Sequence, residues 1–289
     1  PTLAQAPFAP AIRQGGSTRT RTLDKAENFA DESLPGWPNS SNELLAQLQI
    51  NQKTAKDRDE AKIDLGTMTE TTVAALLRYQ TPEMLINASM QLMDHPDILR
   101  IPQLFRDGHV LPSAPLATVF SQTDGYNAVP VIMGANRDEE KSFMARDPEF
   151  TSLQLGLRPS IRDSERYERY AAYYSLRWHM FGGNQIALLM STANPDTDIF
   201  SYRFDWDQSP SNWIVDLPTL VGAGHGTEIN FVFKDFNGDL RLPFEYSQAS
   251  RPGRLALAKA MMGYWGQFAH NGSPGRGVFD EQPAWTPWQ

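Results

Sequence analysis

Cysteine is absent from the 289-residue chain, which excludes a disulfide framework, thiolate catalysis and zinc held by sulfur. No apolar run approaches the ~20 residues of a membrane span, so a soluble protein is expected. Histidine is scarce: the five present show no spacing suited to zinc, and no metal or other cofactor is expected. Positive charge is in deficit. Lys and Arg total 26 against 34 Asp and Glu, leaving a net charge of −8 and a pI near 5.2, which disfavours nucleic acid or an anionic membrane surface as partner. Internal repeats and low-complexity tracts are missing too. The chain begins at Pro1 rather than a methionine, so any export signal would be encoded upstream and the compartment is left open. Sequons at Asn39, Asn87 and Asn271 are chance matches in a chain with many Ser and Thr.

What the chain does have is apolar bulk. It is 40% hydrophobic, with 7 Trp, 9 Tyr and 15 Phe, enough for a sizeable core. Ala11 to Gln14, Val129 to Gly134 and Ile199 to Phe204 read as strands, the second as a buried parallel one. Helical runs are expected from Asn42, over Thr69 to Leu77, over Pro82 to Met93 and over Arg254 to Phe268, the last stopped by Gly272 and Pro274. Ser160 to Met180 reads as one long amphipathic helix. Helices between strands favour a parallel, doubly wound α/β sheet. Only about three central strands can be counted, so an interior edge would be bare.

The most informative stretch is Gly222-Ala223-Gly224-His225-Gly226-Thr227-Glu228, followed by an alternating apolar segment, Ile229 to Phe233. A glycine-rich turn can present one imidazole in a fixed pose, as a catalytic base requires. Upstream, Val129 to Gly134 leads directly into Ala135-Asn136-Arg137-Asp138-Glu139-Glu140. That places carboxylates at a strand's carboxyl end, where open α/β sheets bind ligands. An acid after a strand, then a histidine in a later loop, is the chain order of a Ser, Asp/Glu, His triad. Asp138 and Glu140 compete with Glu139 as the acid. Glu228 is either a hydrogen-bonding partner behind the histidine or a helix or strand-edge carboxylate. Trp178, Phe181 and Trp213 either line a substrate pocket or belong to the core. His95, His109, His179 and His270 have no comparable context, and Asp205-Trp206-Asp207 reads as a strand terminus rather than a metal site.

At these residues the chain resembles the type-B carboxylesterase family, which includes the cholinesterases. The motifs are collinear: Pro1 to Phe8 with Ala11-Ile12-Arg13-Gln14-Gly15-Gly16, Arg106-Asp107-Gly108 with Leu111-Pro112, Gly134 to Glu139, Gly224 to Phe233, and Tyr264 to Pro274. The resemblance implies an α/β-hydrolase fold, with residues 1–289 as the C-terminal part of a single domain and a mostly parallel sheet flanked by helices. Glu139 takes the place of the triad acid and His225 that of the base. The family's nucleophile elbow, Gly-x-Ser-x-Gly, is missing; Gly15-Gly16-Ser17-Thr18-Arg19 comes nearest and lacks the final glycine. The glycine-rich oxyanion loop is missing as well, and Gly15 stands where the family usually has serine.

The reading is therefore a serine carboxylesterase of which this chain supplies Glu139 and His225. Its partner would be an N-terminal half carrying the serine and the oxyanion loop, and the chain alone would be inactive. Activity would fall below roughly pH 6.5, the ordinary histidine pKa. The rival is a non-catalytic, cholinesterase-like binding or adhesion domain; an acid and a histidine at the matching positions favour the enzyme. Acyl and alcohol preference are not encoded in any motif found.

Overall fold

The computed structural model describes residues 10–92, 104–156, 158–236 and 246–288. The Pro1 to Phe8 motif, His95 and the end of the helical run at Met93 lie outside the described residues. Two compact units are formed, one from the described residues of 1–18 and 116–289, the other from those of 19–115.

The first unit is built on three parallel strands in the order β1 (Ala11–Gln14), β4 (Val131–Asn136), β7 (Ile199–Phe204). Every residue of β4 is buried, and period-2 alternation divides its side chains between two cores. Ile132 packs with Phe200, Phe204, Phe231, Met261, Trp265 and Phe268. Val131 and Met133 face the other way, onto Ile186, Ala187, Met190 and Ile199. A strand covered on both faces is a near-continuous apolar run, which Val-Ile-Met-Gly-Ala is. Each such side chain removed from water contributes about 1.5–3 kcal/mol.

Helix α12 (Arg251–Asn271) brings Met261, Trp265 and Phe268 to the first of these cores. It begins with Pro252 in its first turn and ends at Gly272, whose φ of 72° and N–H to the Phe268 carbonyl close the last turn. Helix α9 (Gln185–Ala193) supplies Ile186, Ala187 and Met190 to the second. The short helices α6 (Leu116–Phe120), α7 (Lys141–Met144), α10 (Leu217–Leu220) and α11 (Ile229–Phe233) fill the connections. The alternating segment after His225 is thus a single helical turn.

One element departs from its expected bounds. The expected long helix from Ser160 starts later, as α8 (Ser164–His179), because Asp163 caps it by accepting from the Arg166 N–H at 2.9 Å. Ser160 and Ile161 belong to β6 (Arg158–Ile161), which pairs antiparallel with β5 (Thr151–Gln154). At its far end α8 passes into a π-helical turn, Met180–Asn184, before α9.

The second unit carries α1 (Leu23–Glu27), α2 (Ser41–Asn51), α3 (Arg58–Leu65), α4 (Glu70–Arg78) and α5 (Pro82–Gln91). Ser40, Asp57, Thr69 and Thr81 each cap a helix through the side chain, as their residue types favour. Phe29, Leu45, Ala46, Ala55, Ala61 and Leu65 make its core. The two-residue strands β2 (Arg21–Thr22) and β3 (Phe105–Arg106) pair in parallel. After β3, the Asp107 carboxylate accepts from the backbone N–H groups of His109, Val110 and Leu111, which holds its pKa below the usual carboxylate range.

Candidate active site

β4 ends at Asn136, and the turn after it delivers Glu139 into the first unit's interior, 0% exposed. The turn is pinned on its own strand end: the Asn136 N–H donates to Glu139 Oε1 at 2.9 Å. It is also pinned to the histidine loop, since the Asp138 N–H donates to the Ala223 carbonyl and the Ala223 N–H to Asp138 Oδ2, each at 3.0 Å. Asp138 is further held by Arg137, which bridges to Asp207. Asp138 is therefore a fastener between loops, and Asp207 closes a salt bridge at the strand terminus, as its position after β7 suggested.

His225 lies opposite, with Nδ1 2.5 Å from Glu139 Oε2. A carboxylate oxygen only accepts, so the neutral ring carries its proton on Nδ1 and presents Nε2 as a proton acceptor. Nε2 has no hydrogen-bond partner among the described residues, and the side chain is 39% exposed. The bond to Glu139 raises the His225 pKa above the ordinary histidine value and outweighs the burial that lowers it; the charges of Glu139, Glu228 and Glu140 act in the same upward direction.

Glu228 does not touch the imidazole directly in this geometry. Its Oε2 accepts from Asn136 Nδ2 at 2.5 Å, and the same amide group donates to the Gly224 carbonyl at 2.7 Å. Asn136, buried and central to this arrangement, ties the acid turn, the histidine loop and Glu228 together. No signal in a single sequence marks it beyond its place at the end of a strand. Glu228 is buried, and that burial pushes its pKa upward.

Three rings meet at the histidine. Trp178 lies 5.0 Å from the His225 ring centroid, Phe143 lies 5.4 Å from it, and Phe143 stacks on Trp178 at 5.9 Å with an interplanar angle of 18°. The Trp178 indole N–H donates to the Gly15 carbonyl at 3.1 Å. Gly15 has φ of +54°, and a Cβ there would stand 3.1 Å from Glu139 Oε1 and 3.2 Å from His225 Cε1. Glycine at the end of β1 is thus matched to the acid–imidazole pair it lies against. Phe181, in the π-helical turn, is half-exposed near the Arg177 guanidinium. Trp213 is 82% exposed in the turn 211–216 and makes no ring contact among the described residues.

Ser142 donates its hydroxyl to the His225 carbonyl, not to the ring. Ser17, nearest in sequence to an elbow, is exposed in the loop after β1, with no helix following it. Among the described residues no cluster of His, Asp or Glu could hold a metal ion, and no helix is long and apolar enough to cross a membrane.

The model of the carboxylesterase family matches residues 158–289. Carboxylesterase 1C of Rattus norvegicus is 26% identical over 320 aligned residues, covering 99% of this chain and 49% of that protein. Acetylcholinesterase of Bungarus fasciatus is 24% identical over 248, covering 75% of this chain and 39% of that one. The chain thus spans about half, or less, of the length of these relatives. A solved carboxylesterase of Geobacillus stearothermophilus superposes with a TM-score of 0.59 at 20% identity, covering 98% of this chain and 53% of the other. The fold is that of the α/β hydrolases, and over residues 158–289 the chain is similar to the carboxylesterase family.

Proposed function

We propose that this chain provides the acid and the base of a Ser–Glu–His carboxylic ester hydrolase. The observation that carries the reading is the 2.5 Å contact between buried Glu139 and His225 Nδ1, which leaves Nε2 uncommitted. Gly-x-Ser-x-Gly does not occur in the 289 residues, so the nucleophile and oxyanion donors come from a further segment, an N-terminal half of the same enzyme.

In the complete site the serine Oγ attacks the ester carbonyl carbon while its proton passes to His225 Nε2. The carbonyl π pair becomes the oxyanion. Its collapse breaks the C–OR bond, and the Nε2 proton leaves with the alkoxide as alcohol. Water then repeats the sequence on the acyl-enzyme: its proton goes to Nε2, the acid forms, and the proton returns to serine. Glu139 holds the ring in the tautomer that accepts at Nε2 and stabilises the imidazolium formed in each half-reaction.

Reaction of the complete protein with a fluorophosphonate probe and a chromogenic ester tests this. Labelling of a serine in the joined segment, with turnover cut by several orders of magnitude in His225→Ala, is the expected result. Undiminished turnover in His225→Ala would assign the base elsewhere, and absence of both labelling and turnover would favour a binding domain.

A further inference from the structure

Of the three rings gathered at the histidine, Trp178 is fixed from two directions. Its indole N–H is bonded to the Gly15 carbonyl at 3.1 Å, and its ring stacks with Phe143. Both anchors belong to the immediate surroundings of the pair, since Gly15 lies against Glu139 and His225, and Phe143 is itself 5.4 Å from the imidazole. The half-buried indole is therefore held in place by contacts that need no substrate.

We propose that Trp178 is a positioning residue for His225, a fixed aromatic wall that holds the imidazole against Glu139 and favours its cationic form. The electron-rich face of an indole attracts a cation, and the imidazole becomes a cation each time it takes a proton. A wall of this kind differs from a pocket lining, which would contact the substrate and affect binding. The proposal rests on the reading of His225 as the base.

Titration of the His225 ring by NMR in histidine-labelled protein tests it, with the resonance assigned by its loss in His225→Ala. The charged groups acting on the ring are Glu139 and Glu140 from the turn after β4 and Glu228 ahead of α11, and all remain in place in the variants. Trp178→Leu keeps apolar cover over the imidazole but removes the π face, so its pKa is expected to fall by about half a unit. Trp178→Phe keeps a π face, loses only the bond to Gly15, and should retain most of the wild-type value. Thermal melts confirm that both variants are folded. Equal pKa values in wild type and Trp178→Leu, or equal shifts in the two variants, would overturn the proposal. In the complete enzyme, a lower kcat with unchanged KM in Trp178→Leu supports positioning, whereas a raised KM with unchanged kcat marks a pocket residue and overturns it. The titration needs no turnover, so a protein that fails to hydrolyse esters would lose the hydrolase reading while the wall is still decided by the pKa.

Discussion

Glu228 sets two opposing demands at the centre of the site. Its carboxyl is buried against Asn136, and burial raises its pKa while the hydrogen bond from Asn136 lowers it less. A folded-state pKa above the unfolded value means that its stabilising contribution is present below about pH 4.5 and is lost as pH rises through the folded value. At neutral pH the charged form is a net cost, and its field raises the pKa of His225. Glu228→Gln keeps an oxygen to accept from Asn136 and removes the charge. Its melting temperature is expected to exceed wild type at pH 7.5, with the gap closing toward pH 4. A deficit of the same size at every pH would show that the carboxylate itself is required for packing. The same substitution should lower the His225 pKa. In the complete enzyme the base must be neutral, so the wild-type rate should climb with pH through a midpoint above the ordinary histidine value of about 6.5, and the midpoint should move down in Glu228→Gln. The expectation from sequence, a limb at the ordinary value, took no account of Glu139 bonded to the ring.

Among the elements, β4 and β7 are the frame on which the site hangs, and Gly134 pairs with Tyr202 across them with no room for a side chain. A Cβ at this position would lie 2.3 Å from Tyr202 Cδ1 and 2.4 Å from the Tyr202 carbonyl oxygen. The ring can turn; the carbonyl is part of β7 and cannot move without breaking the ladder. Gly134→Ala is therefore expected to destabilise by about 1–3 kcal/mol, the usual scale of overpacking, measured by urea denaturation; an unchanged midpoint would mean that the strands separate freely. These strands were legible because two-sided burial writes a continuous apolar run, and α12 was legible because Pro252 and Gly272 punctuate it. Helix α8 was misjudged at its start for a physical reason. Ser160 and Ile161 take their conformation from pairing with Ser152 and Thr151, partners that periodicity within one segment does not reveal. The site divides in the same way. Glu139 and His225 could be read from strand ends and glycines, each a local signal. Asn136, Phe143 and Gly15 acquire their roles only when β1, the β4 turn, α8 and the histidine loop come together, and Trp178 could be singled out but not placed.

At the scale of the whole molecule the decisive feature is the sheet of the first unit, in which β1 is an edge among the described residues. Ile12 on this strand is 36% exposed, and Ala11 beside it is exposed as well. An apolar edge with unpaired N–H and C=O groups templates pairing with another chain. On the proposed function, a segment carrying the nucleophile to His225 would approach near this edge, since Gly15 at the end of β1 lies against the imidazole. The 289-residue chain on its own is therefore expected to self-associate in a concentration-dependent way, despite the net charge of −8 that opposes association. Ile12→Lys puts a charge on the strand in the manner by which natural edges are blunted. It should raise the monomer fraction in size-exclusion chromatography with light scattering and weaken capture of the joining segment in the same experiment. A wild-type chain that stays monomeric at high concentration, with Ile12→Lys indistinguishable from it, would show that the edge is covered and that the nucleophile reaches His225 by another route.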